Sequence, residues 1–221
     1  MKKMNRVLIV EDHIVVREGF VALVDAEDDL TVCGQTDNEA DALTLAEKLH
    51  PDVVVVDLML RSGDGMELIK SLRQRYPKLA LLVVSMQDEE LYAERALRAG
   101  ANGYVMKSAA TLEFLDAIRA VHSGQIFISR KMNARLLHQY AHAKPGDVLE
   151  TRPGNLTDRE LTVFQMTGSG LATREIADRL GISFKTVETH KENIKVKLGI
   201  HNATALMQAA VEWVTKAVHT A

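Results

Sequence analysis

The sequence predicts an α/β doubly wound five-stranded parallel sheet, followed by a separate all-α four-helix helix-turn-helix domain. Three observations carry this. Within residues 5–122, short apolar runs alternate five times with stretches of helical spacing. The run Val53-Val54-Val55-Val56 is unbroken and β-branched, which suits a central parallel strand covered on both faces. From Thr157 onward, helix caps and glycine turns punctuate four helical stretches.

The elements follow in order. Arg6-Val7-Leu8-Ile9-Val10 is a buried-strand pattern ending in Glu11-Asp12, and residues 14–25 show helical spacing of Val15, Phe20 and Leu23. Thr31-Val32-Cys33-Gly34 reads as a strand. Asn38 to Leu49 reads as a helix with Ala42, Leu45, Ala46 and Leu49 on one face, stopped by Pro51. Gly63 and Gly65 mark a loop before a helix carrying Leu68, Ile69 and Leu72. Leu79 to Ser85 is a fourth strand, followed by a helix that ends at Gly100. Residues 103–107 and 111–122 are the fifth strand and helix.

Composition bounds the function. The 221 residues are 47% hydrophobic and 26% charged, an ordinary soluble balance. No apolar run reaches bilayer length, and no apolar segment with a cleavage site follows the amino terminus, so the cytoplasm is the default compartment. The single cysteine, Cys33, excludes an intrachain disulfide framework and a cysteine-based zinc site; it reads as a buried strand residue. Charge is uneven: net −7 over residues 1–122, +3 over 123–155 and +1 over 156–221. The acidic front half could hold a cation, and the back half lacks the repulsion that would keep it off nucleic acid.

Polar residues recur at the predicted strand ends: Glu11 and Asp12, then Asp57, Ser85 and Lys107. A doubly wound sheet brings these ends to one crevice. Taken alone, Asp57 could simply begin a loop. Gathered together, three carboxylates repel and need a cation, for which Mg²⁺ with oxygen ligands and waters fits best. A Lys and a Ser hydroxyl beside them suit an incoming phosphoryl group.

With the Glu11-Asp12 pair, Asp57, Ser85, Lys107 and the phrase Ala-Leu-Arg-Ala-Gly-Ala-Asn-Gly-Tyr-Val-Met-Lys over 96–107, residues 5–122 resemble a response-regulator receiver domain. The resemblance implies that Asp57 is the phosphoacceptor and that Glu11, Asp12, Asp57 and the backbone carbonyl of Met59 hold Mg²⁺. It also implies that Ser85 hydrogen-bonds the phosphoryl oxygen, Tyr104 turns inward behind it and Lys107 pairs with the phosphoryl group. A plain packed aromatic is the lesser alternative for Tyr104, and His13 reads as a surface residue starting the first helix. Two positions depart from the family pattern: Arg61 replaces a usual Pro, and Met86 replaces a usual small residue at the mouth.

Residues 123–154 form a basic connecting segment. It holds one helix, carrying Met132, Leu136, Leu137 and Tyr140, and a tether over Lys144 to Asn155. His138 and His142 are four apart, but no third metal ligand stands near them in the sequence.

Over 155–218, Thr157-Asp158-Arg159-Glu160 has capping-box spacing, and Thr173–Leu180, Gly181 and a helix from Ser183 to Leu198 have helix-turn-helix lengths. Val187, Ile194 and Leu198 are expected in the core. Lys185, Glu188, Thr189, Glu192 and Lys195 are expected opposite, with a last helix from Asn202 burying Leu206, Ala210 and Val214. The phrases Leu-Thr-Asp-Arg-Glu-Leu (156–161), Glu-Ile-Ala-Asp-Arg-Leu-Gly-Ile-Ser (175–183), Lys-Thr-Val-Glu-Thr-His (185–190) and Lys-Leu-Gly-Ile (197–200) resemble the LuxR-type DNA-binding domain. The two halves together resemble the NarL/FixJ group of two-component response regulators.

That resemblance implies a sensor histidine kinase as phosphodonor and paired half-sites of double-stranded DNA read in the major groove by a homodimer. RNA polymerase is a further candidate partner, and no membrane is involved. Lys185, Lys191 and Lys195 are the candidates for phosphate or guanine contacts, and Thr186 and Thr189 for backbone or thymine methyl. Glu188 and Glu192 either accept from cytosine or remain solvated or Lys-paired, while His190 reads as a packing residue. Two other readings stay open: a Mg²⁺-dependent hydrolase with Asp57 as nucleophile, and a DNA-binding protein whose receiver is a constitutive dimerisation module.

Overall fold

The computed structural model describes residues 4–60, 64–109, 111–142 and 156–219. The chain divides into two compact units, Met1–Ala143 and Lys144–Ala221. In the first, β1 (Asn5–Val10), β2 (Leu30–Thr36), β3 (Val53–Val56), β4 (Ala80–Ser85) and β5 (Gly103–Met106) form one parallel sheet in the order β2-β1-β3-β4-β5. Val7–Val10 pair in register with Val53–Val56, which in turn pair with Ala80–Val83. The ends of β1 and β3 are therefore level. The strand order reverses between them, which opens a crevice at that edge.

The strands alternate with α1 (Ile14–Asp25), α2 (Glu39–Leu49), α3 (Gly65–Arg75), α4 (Glu89–Ala99) and α5 (Thr111–His122). Side chains cap three of them: Asn38 accepts from Asp41 N, Asp64 from Met66 N and Asp88 from Glu90 N. Each satisfies an amide that the first helical turn leaves without a partner. Val7, Ile9, Val55, Leu82, Phe114 and Ile118 build one core layer between the sheet and its helices.

Two details differ from the sequence reading. In α1, Val15 is 82% exposed, while Val24 is fully buried and Phe20 stacks on Phe114 with ring centroids 4.6 Å apart. The inward face is set by α5 lying alongside, which spacing within α1 does not encode. Cys33 is half-buried: the β1–β2 register shifts between Val7 and Leu8, leaving Cys33 as the extra residue, its thiol donating to Val7 O at 3.4 Å.

The connecting segment contains the expected helix, α6 (Arg130–His142), and it packs on α4 as part of the first unit. Met132 is fully buried and Leu136 half-buried, while Leu137 is exposed. Polar contacts surround this apolar anchor. Glu89 Oε1 accepts from Ser129 N at 2.7 Å, and Glu90 Oε1 pairs with Lys131 Nζ at 2.5 Å. The Glu90 carbonyl accepts from Arg135 Nη1 at 3.0 Å. His138 is exposed. The side chains of Tyr140 and His142, Arg61, and the Lys144–Asn155 tether lie outside the described residues.

The second unit is helical: α7 (Asp158–Gly168), α8 (Thr173–Leu180), α9 (Phe184–Leu198) and α10 (Ala203–His219). The capping box forms, with Glu160 N donating to Thr157 Oγ1 at 3.3 Å and Thr157 N donating to Glu160 Oε2 at 2.7 Å. Gly168 lets α7 touch α10, since a Cβ there would lie 2.3 Å from Ala210 O. Gly181 (φ 61°) makes the turn into α9, where Ser183 accepts from Thr186 N. Leu161, Phe164, Ile176, Leu180, Val187, Ile194, Leu206 and Ala210 form the core, with Leu198 and Val214 at its edge, half-buried. No described helix in either unit is long and apolar enough to cross a membrane.

Candidate functional site

The level ends of β1 and β3 set three carboxylates side by side. Glu11, Asp12 and Asp57 are all buried, and Asp57 N donates to Val10 O at 2.9 Å, tying the end of β3 to β1. Lys107 enters from the end of β5, where its N–H extends the ladder to Ser85 O at 2.9 Å. Its ammonium lies 2.7 Å from Asp57 Oδ2 and 2.5 Å from Glu11 Oε2. Burial pushes the Asp57 carboxyl above the usual carboxylate range, and the adjacent Lys107 offsets only part of that. For Lys107 burial pulls downward, but Asp57 and Glu11 outweigh it and hold the ammonium above its ordinary value.

The loop after β3 is shaped by one close approach. A Cβ on Gly65 would sit 2.1 Å from the carbonyl oxygen of Asp57, so the start of α3 can abut the Asp57 backbone only with glycine there. Met59 turns its amide to Asp57 Oδ1 at 3.2 Å. On the other flank Ser85 is fully buried and its Oγ accepts from Gln87 N at 3.3 Å. Tyr104 is turned inward, 1% exposed, with its hydroxyl donating to Gln87 O at 2.7 Å. Burial pushes its phenol well above the ordinary value. Gln87 thus joins Ser85 to Tyr104 through its own backbone, a link that the sequence reading did not contain. Met86 is 68% exposed.

The structure therefore brings Glu11, Asp12, Asp57, Lys107, Ser85, Tyr104 and Met59 to one place. Three carboxylates facing one ammonium leave negative charge in excess, and oxygen donors of this kind suit a hard divalent cation. Ligand atoms of Glu11, Asp12, His13 and Asp57 all lie within 4.8 Å of one another. His13 is the member that sequence reasoning set aside. It is exposed, as expected, but its ring is turned back onto the carboxylates. Its position directly after the Glu11-Asp12 pair was the available signal.

In the second unit, α9 exposes Lys185, Thr186, Thr189, Glu192, Asn193 and Val196, a continuous stripe at helical spacing. Lys185, Thr189 and Glu192 fall on it as expected, Glu188 and Lys195 do not, and Thr186, Asn193 and Val196 complete it. Glu188 and Lys191 are half-buried and tied to the start of α8: Thr173 Oγ1 donates to Glu188 Oε1 at 3.0 Å and accepts from Lys191 Nζ at 2.7 Å. Lys195 is only 16% exposed along its side chain and pairs with Glu192 at 2.8 Å. His190 is half-buried, and burial with nearby Arg159 holds its imidazole below the ordinary value.

Comparison with known proteins matches each unit separately. Residues 7–119 match the family model of the response regulator receiver domain, and residues 154–210 that of the bacterial regulatory proteins of the luxR family. The oxygen regulatory protein NreC of Staphylococcus haemolyticus is 30% identical over 94% of this chain and 97% of its own length. The fold is similar to RcsB from Salmonella enterica serovar Typhimurium bound to promoter rprA in the presence of the phosphomimetic BeF3⁻. That similarity has a TM-score of 0.62 and 25% identity, covering 93% of this chain and 98% of that one. A LuxR-family two-component response regulator from Aurantimonas sp. SI85-9A1 matches with TM-score 0.59 and 29% identity, over 63% of this chain and 100% of that one.

Proposed function

Because the chain belongs to the LuxR-family two-component response regulators, with a receiver and a LuxR-type DNA-binding domain, we propose that phosphorylation of Asp57 by a sensor histidine kinase controls its binding to promoter DNA. We take the receiver as residues 5–122, the connecting segment as 123–154 and the output domain as 155–218. The observation that carries the reading is the buried Asp57 carboxylate, held at the end of β3 with Lys107 Nζ 2.7 Å from its Oδ2.

The chemistry follows from these contacts. Asp57 attacks the phosphorus of a phosphohistidine; the new O–P bond forms as the P–N bond breaks, and the imidazole leaves. Lys107, which now neutralises Asp57 and Glu11, shifts its ion pair to a phosphoryl oxygen as the carboxylate becomes an acyl phosphate, its Nζ remaining protonated. The Ser85 hydroxyl, fully buried and next in line on β4, donates to another phosphoryl oxygen. Glu11, Asp12 and Asp57, with the backbone carbonyl of Met59 as the further ligand the family resemblance implies, would hold a Mg²⁺ ion, which would supply charge neutralisation for the attack on an already anionic group. Tyr104 then reports the event: its hydroxyl is anchored to Gln87 O, in the same short turn whose amide bonds Ser85 Oγ. Movement of Ser85 toward phosphate pulls on that turn and on α4, where α6 is docked.

For output, the stripe from Lys185 to Val196 enters the major groove. Lys185 meets phosphate, while Thr186, Thr189 and Asn193 face base edges. Glu188 and Lys191 serve first to hold the recognition helix against the start of α8, while Lys195 pairs with Glu192 along the helix itself. The structure of RcsB bound to a promoter supports promoter binding by this chain, and the small net charge of the output half favours two half-sites bound by a homodimer. The site of action is the cytoplasm, and RNA polymerase is the further partner. This reading stands over a hydrolase because both halves of the chain match regulator domains.

The test is direct. After incubation with a small acyl phosphate and Mg²⁺, peptide mass spectrometry is expected to place one phosphoryl group on Asp57, absent from Asp57→Asn. A phosphoryl group on another residue, or equal labelling of the variant, refutes it.

A further inference from the structure

We infer that the output domain reads its operator chiefly through the C5-methyl groups of thymines, with Phe184 at the start of α9 as the principal contact. The inference rests on the reading above, in which α9 lies in the major groove. It goes beyond that reading by assigning the base, and the group on it, that is recognised.

The polar side chains of α9 spend most of their hydrogen-bonding capacity within the protein. The hydroxyls of Ser183 and Thr186 bond each other at 2.8 Å, and Ser183 Oγ also accepts from Thr186 N at 3.0 Å. Thr189 Oγ1 donates to Lys185 O at 3.0 Å. Glu188 and Lys191 are held by Thr173, and Lys195 by Glu192. A threonine whose hydroxyl bonds back to its own helix has its methyl left to offer a base. Thr186 and Thr189 are both in that position, and Lys185 and Asn193 are the polar members of the stripe whose side chains remain uncommitted.

Phe184 is the first residue of α9 and is 51% exposed. The chain has five phenylalanines, and the other four are buried or half-buried. Among the described residues no other aromatic is exposed. A single exposed apolar side chain needs no explanation by itself. Its place supplies one here, because the amino-terminal residues of a recognition helix are those that meet base edges. The Ser183 cap fixes that first turn, so the ring is presented from a set position. Thymine alone offers a methyl group in the major groove, and an apolar side chain is its complement.

Synthetic duplexes carrying the operator selected by the full-length protein test this, with deoxyuridine replacing one thymidine at a time. Binding is measured in the presence of a small acyl phosphate and Mg²⁺. Uracil keeps every hydrogen-bonding group of thymine and lacks only the methyl. The wild type is expected to bind about fourfold more weakly at one or more positions in each half-site, the loss for one methyl removed from a buried contact. At one of these positions Phe184→Ala, with helicity unchanged, is expected to bind thymine and uracil duplexes alike, while Phe184→Leu still distinguishes them. An operator with no methyl-sensitive thymine, or a thymine preference undiminished in Phe184→Ala, overturns the inference and leaves DNA recognition by α9 standing. Failure of the wild type to select any sequence overturns both.

Discussion

Lys107 Nζ stands 2.7 Å from Oδ2 of Asp57, and the same ammonium also reaches Glu11, so one cation neutralises carboxylates from two strands. Removing either side has opposite consequences. Lys107→Ala leaves buried carboxylates unpaired and is expected to destabilise the receiver by about 3–5 kcal/mol, partly recovered by millimolar divalent cation. Asp57→Asn is expected to stabilise it. Burial raises the Asp57 carboxyl in the folded state, so ionised Asp57 opposes folding above its unfolded value of about 3.9. The gain from Asn is therefore present at neutral pH and disappears as pH falls below that value. Thermal denaturation at pH 7 and near pH 4 measures both.

The docking of α6 on α4 is expected to depend on one apolar side chain more than on its ion pairs. Met132 is fully buried, whereas Lys131 is 58% and Arg135 41% exposed in their pairs with Glu90. Met132→Ala is expected to cost about 2–4 kcal/mol and to speed amide exchange along α6. Glu90→Ala is expected to cost less than about 1 kcal/mol per exposed pair. Hydrogen exchange of residues 130–138 distinguishes the two.

The output domain should lose stability in acid through Glu160. Burial pushes this carboxyl up, but Lys197 at 2.6 Å and Thr157 outweigh it and hold it below the ordinary range. A carboxyl depressed in the folded state contributes stability above its unfolded value of about 4.3, lost as pH falls through the folded value. Glu160→Gln keeps the capping-box geometry, so it is expected to flatten the pH dependence below about pH 4.3. Glu160→Ala also loses the cap, about 1 kcal/mol more. Acid titration of helicity reads both.

On α9, position along the exposed stripe should decide what each substitution does. Lys185→Ala is expected to weaken DNA binding similarly for all sequences and to reduce the salt slope by about one. Asn193→Ala should instead relax discrimination at one base pair by about 1–3 kcal/mol. Lys191→Ala, which unties Thr173, is expected to lower helix stability together with affinity. Binding to matched and mismatched duplexes at several salt concentrations separates these patterns.

Much of this arrangement is legible in residue order. Four valines before Asp57, and polar residues at four strand ends, place the acidic crevice from residue order alone. Thr157 and Glu160 mark the first output helix with a cap that forms as read. What sequence hides is relative phase. Val15 has the spacing of a core residue but is exposed, because α5 selects which side of α1 turns inward. Asn193 and Val196 share a face with Lys185 that emerges only once Val187 and Ile194 fix the buried side. Lys191 looks like a free cation until Thr173 of the preceding helix is beside it. His13, read as a surface residue, is one, yet its ring faces the carboxylates behind it.

Control of DNA binding by Asp57 is tested most directly by selecting random duplex DNA with the full-length protein, in the presence and absence of a small acyl phosphate with Mg²⁺, alongside Asp57→Asn. Phosphorylation control predicts that the wild type enriches one paired half-site sequence only with the phosphodonor, and that Asp57→Asn enriches none in either condition. Equal enrichment with and without the donor, or donor-dependent enrichment by Asp57→Asn, would contradict it.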